Sequence, residues 1–255
     1  MITLTVNFFI LGLLIGSFLN VCIHRLPARE SIVFPRSYCP SCKNRIAAYD
    51  NIPIISFLLL RGRCRSCKNP ISWRYPAVEL LNGLGYFSIL HCFGPTPATL
   101  IYAIFFSCLV VIAFIDLAHQ IIPDVITLPG IPLSVLAAAT VLPTGFLNSL
   151  QGLVLGGGLF YLIYGLSLLL FKKEGMGGGD IKLIAMIGAL LGWKEVLLAI
   201  FSASVIGSVV GLILIGMHLR GRSDPIPFGP FLVIGALISL FFGNNIFDWY
   251  LGSVG

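Results

Sequence analysis

Two aspartates and four cysteines are the residues of this chain whose types and spacing suggest chemistry. Asp116 ends the apolar run "FFSCLVVIAFID", and Asp180 follows the glycine-rich stretch "GMGGG" and opens another apolar run. Two carboxyl groups that meet in a low-dielectric site share a proton, so that one acts as a base and the other as an acid. Such a pair activates water and protonates a leaving amine, which is the chemistry of an aspartic protease. The hypothesis requires a fold that brings the two runs together at one level.

Asp180 also has a simpler structural explanation, whereas Asp116 does not. An aspartate before an apolar helix is a good N-cap, and this would explain Asp180 if four glycines did not lie among the five residues before it. Those glycines let another backbone approach closely, which a cap does not require. Asp116 lies at the carboxyl end of its run, where no helix dipole stabilises a negative charge. Asp124 follows Pro123, so a cap or turn suffices for it, and the spacing favours Asp116.

The cysteines form two CxxC pairs in the one long polar stretch of the chain. Cys39 and Cys42 lie in "CPSCKNR", Cys64 and Cys67 lie in "CRSCKNP", and 21 residues separate the two pairs. Each pair suits a tight turn that directs two thiolates at one ion, and four sulfurs complete the tetrahedral shell of a structural zinc site. Disulfides and a redox-active CxxC are the alternatives, and both need an oxidising or exchange-competent setting. We expect zinc, which would hold together a loop too small to fold on its own core.

The composition of the chain predicts a membrane protein. Hydrophobic residues make up 57% of its 255 positions and charged residues only 10%, which is far more apolar surface than one globular core covers. Eight apolar runs approach the roughly 17 to 25 residues that span a bilayer, although the sixth and the eighth are short. We therefore predict an all-α polytopic bundle of about eight transmembrane helices. The runs lie at residues 4–24, 77–94, 97–117, 125–143, 147–171, 180–192, 195–217 and 228–243.

The distribution of charge predicts how the chain crosses the lipid bilayer. With the amino terminus outside, all of the 16 Lys and Arg except Lys194 lie on the cytoplasmic side. This bias explains the net charge of +6 without nucleic acid as a partner. It also places the cysteines in the reducing cytosol, which favours zinc over disulfides. The expected domains are a first transmembrane helix at 1–24, a cytoplasmic zinc-binding loop subdomain at 25–76, and a transmembrane catalytic bundle at 77–255 with its protease core at about 97–192.

Six stretches of the chain and the two cysteine pairs, in their order and completeness, carry a family resemblance. They are "GSFLNVCIHRLP" (16–27), the two cysteine pairs, "NIPIISFLLLRGRC" (51–64), "ISWRYPAVELL" (71–81), "IDLAHQIIPDVITLP" (115–129), "GMGGGDIKL" (175–183) and "PIPFGPFL" (225–232). Together they resemble the bacterial type IV prepilin peptidases, membrane aspartic proteases of the GxGD class, along nearly the whole chain. In that family the catalytic pair consists of the aspartate that ends the third span's run and the aspartate of the GxGD motif. The resemblance therefore implies Asp116 and Asp180 as catalytic residues, and settles Asp116 over Asp124.

The resemblance implies a substrate and two activities. Enzymes of this family remove the short basic leader of type IV prepilins and pseudopilins at the cytoplasmic face of the bacterial inner membrane. Many then methylate the new amino terminus with S-adenosylmethionine, and the cysteine pairs favour this bifunctional form. The residues themselves show no methyltransferase fingerprint, so the binding site of the methyl donor stays unassigned. Asn20 and Glu79, polar groups near inner helix ends, are candidates for that site or plain helix-packing contacts.

Two short stretches are candidates for contact with the peptide substrate. Hydrolysis requires an extended peptide, whose backbone groups cannot stay unpaired in lipid, so cleavage belongs at the membrane boundary. We expect the glycine run 175–179, with Gly177, Gly178 and Gly179, to offer backbone for that segment to pair with. The stretch "PFGPF" (227–231), with Phe228 and Gly229, is either a second such surface or a Pro-punctuated helix start.

Two other classes of protein remain as alternative hypotheses. A transporter would use the intramembrane acids as a cation path, but paired apolar halves with matching Gly or Pro breaks are not evident in the sequence. A membrane thiol oxidoreductase would use the CxxC pairs. The substitution Asp116→Asn or Asp180→Asn distinguishes these hypotheses, because only a protease would lose leader cleavage and still retain zinc.

Overall fold

The protein is an all-α membrane protein, as the composition predicts. A computed structural model describes residues 2–172, 177–219, 221 and 226–254, and in these ranges the only β-structure is two isolated bridges. The same ranges hold nine α-helices and one 3-10 turn, Ala48–Asn51. The helices are α1 (Ile2–Arg25), α2 (Ile55–Leu59), α3 (Arg74–Phe93), α4 (Pro97–His119), α5 (Asp124–Thr140), α6 (Phe146–Phe171), α7 (Gly178–Leu191), α8 (Trp193–Gly216) and α9 (Gly229–Val254).

A helix lies at each of the eight predicted apolar runs. Within the described part of the chain, α1, α4, α6, α8 and α9 are long and apolar enough to cross a membrane. Helix α7 is short, as predicted, with 14 residues. Helix α9 has 26 residues and is longer than the predicted run 228–243. Its polar residues Asn244, Asn245 and Asp248 lower helix propensity without breaking a helix, so the prediction of a short eighth helix was wrong.

The chain divides into two compact units, Met1–Ile115 and Asp116–Gly255, with the boundary inside α4. In the first unit α1 packs along α3 at two glycines. A Cβ on Gly12 would lie 2.9 Å from the Asn82 carbonyl oxygen, and one on Gly16 would lie 2.7 Å from the Glu79 Cα. The Asn82 side-chain amide donates a hydrogen bond to the Gly12 carbonyl at 2.7 Å, which stabilises this close contact.

The polar stretch after α1 belongs to the first unit and is organised by its two CxxC turns. One antiparallel bridge, Tyr38 with Arg45, closes the first turn, and another, Arg63 with Pro70, closes the second. The two turns share a geometry, because Lys43 and Lys68 both have a φ near +60° and donate their N–H groups to the first cysteine of their pair. The repeated "SCKN" sequence therefore folds into two copies of one turn.

The second unit is built around α7, which is buried along nearly its whole length. Helix α6 crosses α7 at Gly152 and Gly188, where a Cβ on either glycine would overlap the carbonyl of the other. Helices α5, α8 and α9 also contact α7. A helix that is apolar on all sides is typically buried among other helices. Because α7 is buried in this way, Asp180 in its first turn lies inside the unit.

Candidate active site

Asp116 lies in the last turn of α4 and is buried, with 5% of its surface exposed. Its Oδ2 accepts a hydrogen bond from the Gly229 N–H at 3.0 Å. Gly229 is the first residue of α9, so its N–H has no partner inside that helix and can donate to the Asp116 carboxylate. The carboxyl end of one helix and the amino end of another thus meet at this side chain.

Asp180 is buried in the first turn of α7, with 9% of its surface exposed. The N-cap of α7 is Gly177, and Asp180 is the third residue of the helix, so the simple N-cap interpretation was wrong. The Gly177 N–H instead donates to the Asp180 carboxyl. This contact is the returning half of a capping box, in which an acidic third residue satisfies the backbone of the cap.

The two carboxyl groups belong to one unit, and the charge of Asp116 acts directly on Asp180. Ile122, in the connection between α4 and α5, packs against a glycine that adjoins each of them. A Cβ on Gly179 would lie 2.8 Å from the Ile122 Cβ, and one on Gly229 would lie 3.3 Å from its Cδ1. Ile122 therefore holds the starts of α7 and α9 together next to the carboxyl groups. Sequence reasoning missed it, although an apolar pair inside "AHQIIPD" was a signal.

Asp124 has different surroundings from those of Asp116. It is exposed in the first turn of α5, and the Lys182 Nζ contacts its two carboxylate oxygens at 2.7 and 2.8 Å. Among the described residues, neither Asp116 nor Asp180 has a cationic partner of this kind. Asp124 is thus a neutralised surface group, whereas the buried pair keeps its mutual repulsion.

The predicted substrate-contact residues fall into two groups. Gly177 and Gly178 are exposed and Gly179 is half-buried, while Gly175 and Met176 lie outside the described residues. Phe228 packs its ring 6.3 Å from the rings of both Phe160 and Phe231, measured between centroids. Its carbonyl accepts the N–H groups of Phe231 and Leu232 in the first turn of α9. The stretch "PFGPF" is therefore a helix start whose backbone is already engaged.

The four cysteines of the first unit form a cluster that can hold a metal ion. Their sulfur atoms all lie within 4.8 Å of one another, and the Cys39 and Cys67 sulfurs are 3.8 Å apart. Four thiolates around zinc, with bonds of about 2.3 Å, have edges of about 3.8 Å. The gathered sulfurs agree with the sequence prediction of a metal-binding cluster, and the distance between the Cys39 and Cys67 sulfurs equals that edge.

The charges of the cluster also fit a bound cation. The Cys42 N–H, helped by that of Ser41, lowers the pKa of Cys39 to about 6. The Asn69 N–H acts in the same direction on Cys67, but desolvation and hydrogen bonds with the other three sulfurs outweigh it and raise the pKa of Cys67 to about 11. The thiolate form is thus favoured at Cys39 and disfavoured at Cys67. A bound divalent cation would favour the thiolate form of both.

A cavity of about 670 Å³ opens in the first unit, beside the cysteine cluster. Its wall includes Cys39 and Cys64, residues of the connecting loop, the carboxyl end of α1 and the amino end of α3. Asn20 and Glu79, the two polar residues singled out in the sequence, both line it. The structure therefore brings together two residues that lie 59 positions apart in the chain.

Comparisons with known proteins give this geometry a family. A model of the bacterial peptidase A24 N-terminal domain matches residues 10–93, and one of the type IV leader peptidase family matches residues 103–212. A prepilin leader peptidase/N-methyltransferase of Aeromonas hydrophila is 38% identical over 271 residues, which cover 95% of this chain and 92% of that protein. The chain belongs to the type IV leader peptidase family. This membership confirms the resemblance seen in the sequence and makes the chain a membrane enzyme of the peptidase class.

Two further relatives carry the same name. The Pseudomonas aeruginosa protein is 38% identical over 269 residues, which cover 96% of this chain and 93% of its own length. The Myxococcus xanthus protein is 44% identical over 217 residues, which cover 85% of this chain and 64% of its own length. A comparison with solved structures gave no match.

Proposed function

We propose that this family member removes the basic leader of type IV prepilins and pseudopilins, with Asp116 and Asp180 as its catalytic pair, and then methylates the new amino terminus. The observation that carries the peptidase is the pair of buried carboxyl groups in one unit, close enough to interact and free of a cationic partner among the described residues. Two such groups cannot both ionise easily, so they hold one proton between them.

A shared proton gives the pair the means to hydrolyse a peptide bond. The ionised carboxylate accepts a proton from a water molecule, and the resulting hydroxide attacks the carbonyl carbon of the scissile bond. The protonated carboxyl donates its proton to the departing amine. The Gly229 N–H holds Asp116, and the Gly177 N–H holds Asp180, so both groups are oriented before the substrate arrives.

The exposed glycines at the start of α7 are our candidates for substrate contact. Gly178 has open space where a Cβ would lie, and it is two residues from Asp180. An extended peptide would pair with backbone at Gly177 and Gly178, which are exposed, and at the side of Gly179 that faces away from Ile122. For Phe228 and Gly229 we propose a positioning role, because the Gly229 N–H already serves Asp116 and the Phe228 carbonyl closes the first turn of α9.

Charge supports one orientation in the bacterial inner membrane. With the amino terminus outside and the cysteine loop in the cytoplasm, nearly all Lys and Arg lie on the inner side. Both aspartates then lie at the inner membrane boundary, where a prepilin can extend its backbone without leaving polar groups unpaired in lipid. The basic residues have this topological role, and we propose no nucleic-acid partner.

The cysteine cluster and the cavity are the proposed places for the two non-protein groups. Zinc held by Cys39, Cys42, Cys64 and Cys67 would be structural, since four protein ligands leave no open position for catalysis. S-adenosylmethionine, when bound, supplies the methyl group for the second activity. The first unit would bind it, because the cavity there is lined by polar groups and is of the size that cofactor sites have.

The decisive test is incubation of the purified full-length protein, in lipid vesicles, with a prepilin. The product masses are read with and without S-adenosylmethionine. We expect loss of the leader in both cases, and the added mass of one methyl group only when the methyl donor is present. An intact precursor, under conditions in which a known prepilin peptidase cuts it, would overturn the peptidase assignment.

A further inference from the structure

The cavity of the first unit contains a buried hydrogen-bond acceptor that has no partner in the described part of the chain. Asn20 is 2% exposed. Its amide nitrogen donates to the carbonyls of Gly16 and Tyr75, at 3.3 and 3.0 Å, which fixes the orientation of the amide. The remaining oxygen, Oδ1, is buried and unpaired. A buried acceptor without a donor destabilises the folded protein, so its presence in a cavity wall points to a donor that comes with a ligand.

Glu79 places a carboxyl group in the wall of the same cavity. It is 7% exposed and accepts the Ile54 N–H at 2.7 Å and the Ser17 hydroxyl. The described residues offer it no ion-pair partner. The other acid of the wall, Asp50, differs in this respect, because Arg65 binds both its oxygens and holds the pKa of that carboxyl below its usual range.

The contact that orients Glu79 is made by a strained residue. Ile54 has a φ of 60° and a ψ of −50°, a conformation that β-branched residues rarely adopt. Strain of this kind persists where the surrounding structure has a use for it. Here it aims the Ile54 N–H at one oxygen of Glu79.

We propose that this cavity is the methyl-transfer site, and that Glu79 and Asn20 bind the amino terminus that leader cleavage creates. An amino terminus carries three N–H donors and a positive charge. The cavity offers it the Glu79 carboxylate and the unpaired Asn20 amide oxygen. The inference rests on the proposed bifunctional activity, and it adds a site and residue roles to that activity.

Glu79 would also be the base of the transfer. An amino terminus is largely protonated at neutral pH and has no free electron pair until it loses a proton. The Glu79 carboxylate accepts that proton. The amine nitrogen then forms a bond to the methyl carbon while the bond from that carbon to sulfur breaks, and the sulfur keeps the electron pair. The products are a methylated ammonium on the pilin, a neutral thioether and the proton on Glu79, which passes to water.

The cavity can hold the methyl donor beside the amine. Its volume of about 670 Å³ lies within the roughly 300 to 1,000 Å³ of small-molecule sites. Arg74 lines the cavity, and its Nε is a buried donor that has no partner in the described residues. The amino-acid end of S-adenosylmethionine carries a carboxylate, which is the natural acceptor for a guanidinium.

The test compares Glu79→Gln with Glu30→Gln in the full-length protein. Glu30 is exposed, lies in the same unit and does not line the cavity. Leader cleavage and methylation of the same prepilin are followed by mass, and binding of S-adenosylhomocysteine is measured by calorimetry. We expect Glu79→Gln to cut at the wild-type rate, to bind S-adenosylhomocysteine, and to methylate at least about a hundredfold more slowly, the scale of a lost general base. Glu30→Gln should match the wild type in all three measurements.

A second variant covers the case in which Glu79→Gln does not fold. Asn20→Ala removes the unpaired oxygen, and we expect it to raise the KM for methylation of an already cut pilin by about tenfold, the scale of a hydrogen bond to a charged amine. Normal methylation by both variants, or slowed cleavage by Glu79→Gln, would overturn this inference and leave the peptidase assignment standing. A wild-type protein that cuts and never methylates would instead overturn the bifunctional function itself.

Discussion

At the scale of single residues, Asp116 and Asp124 are two nearby aspartates with different surroundings. They lie eight positions apart. Asp124 is exposed and paired with Lys182, while Asp116 is buried against the Gly229 N–H and acts on Asp180. Burial without a cation is costly and makes a carboxyl ready to exchange a proton.

Replacement of the buried aspartates should abolish cleavage. Asp116→Asn and Asp180→Asn keep the shape of the side chain and remove the group that exchanges a proton. We expect each to lower the rate of leader cleavage by about a thousandfold, within the 10²–10⁴ range of general acid–base catalysis. The measurement is the initial rate of prepilin cleavage in vesicles, with the midpoint of thermal unfolding in detergent as the check on folding.

Asp124→Asn is the matched control for these variants. It removes an exposed ion pair, which contributes about 0 to 1 kcal/mol to stability. Its cleavage rate should stay within about twofold of the wild type, since the buried pair is intact. A loss of activity equal to that of Asp116→Asn would mean that the catalytic pair has been assigned to the wrong aspartate.

Gly229→Ala tests the hydrogen bond that holds Asp116. A Cβ at this position would lie 2.5 Å from the Asp116 Oδ2 and 3.1 Å from its Cγ, so the carboxyl must move away. We expect cleavage to slow at least about tenfold, because a displacement of even 1 Å is costly in catalysis. Gly158→Ala, in α6, meets no atom within 4 Å and should leave the rate unchanged. Equal rates for both variants would remove Gly229 from the site.

At the scale of elements, the crossing of α6 and α7 positions Asp180. Gly152 and Gly188 let the two backbones approach until no Cβ fits between them. Close contact at small residues is the main way in which helices associate in lipid, where the hydrophobic effect offers no help. The short helix α7 therefore depends on this contact to keep its first turn in place.

Gly188→Ala should weaken the second unit through this crossing. The new methyl group would overlap the Gly152 carbonyl, and overpacking of this kind costs about 1 to 3 kcal/mol. We expect a lower midpoint of thermal unfolding in detergent and a slower cleavage rate in the same variant. Gly165→Ala is the control in α6, since nothing lies within 4 Å of its Cβ. A midpoint for Gly188→Ala that equals the control value would contradict the close contact.

At the scale of the whole molecule, the sequence predicted what depends on local pattern. Apolar run length predicted a helix at each of eight positions, five of which are long and apolar enough to cross a membrane, and the repeated CxxC spacing predicted that four sulfurs would gather. The structure adds contacts between distant segments, which have no local signature. Ile122 packs on two glycines from other helices, the Gly229 N–H donates to Asp116, and within the described ranges the Asn20 Oδ1 has no donor. These contacts follow from tertiary packing, which one sequence does not reveal.

The division of the chain into two units predicts that metal loss separates the two proposed activities. The cysteine cluster and the cavity belong to Met1–Ile115, whereas Asp116 and Asp180 belong to Asp116–Gly255. Cys39 and Cys64 are both ligand candidates and part of the cavity wall. Without the ion the two CxxC turns would no longer be held together, because a loop of this size has little hydrophobic core of its own.

Cys42→Ser should therefore lose bound zinc and methylation together while it still removes the leader. Cys42 is a cluster sulfur that does not line the cavity, so a defect in methylation would come from loss of the metal and not from loss of a wall residue. Cys92→Ser, an exposed cysteine at the end of α3, is the control and should keep zinc and both activities. Zinc content by atomic absorption is compared with the product masses. Methylation that persists in the zinc-free protein would show that the cavity does not depend on the cluster, and loss of cleavage would show that the units do not act separately.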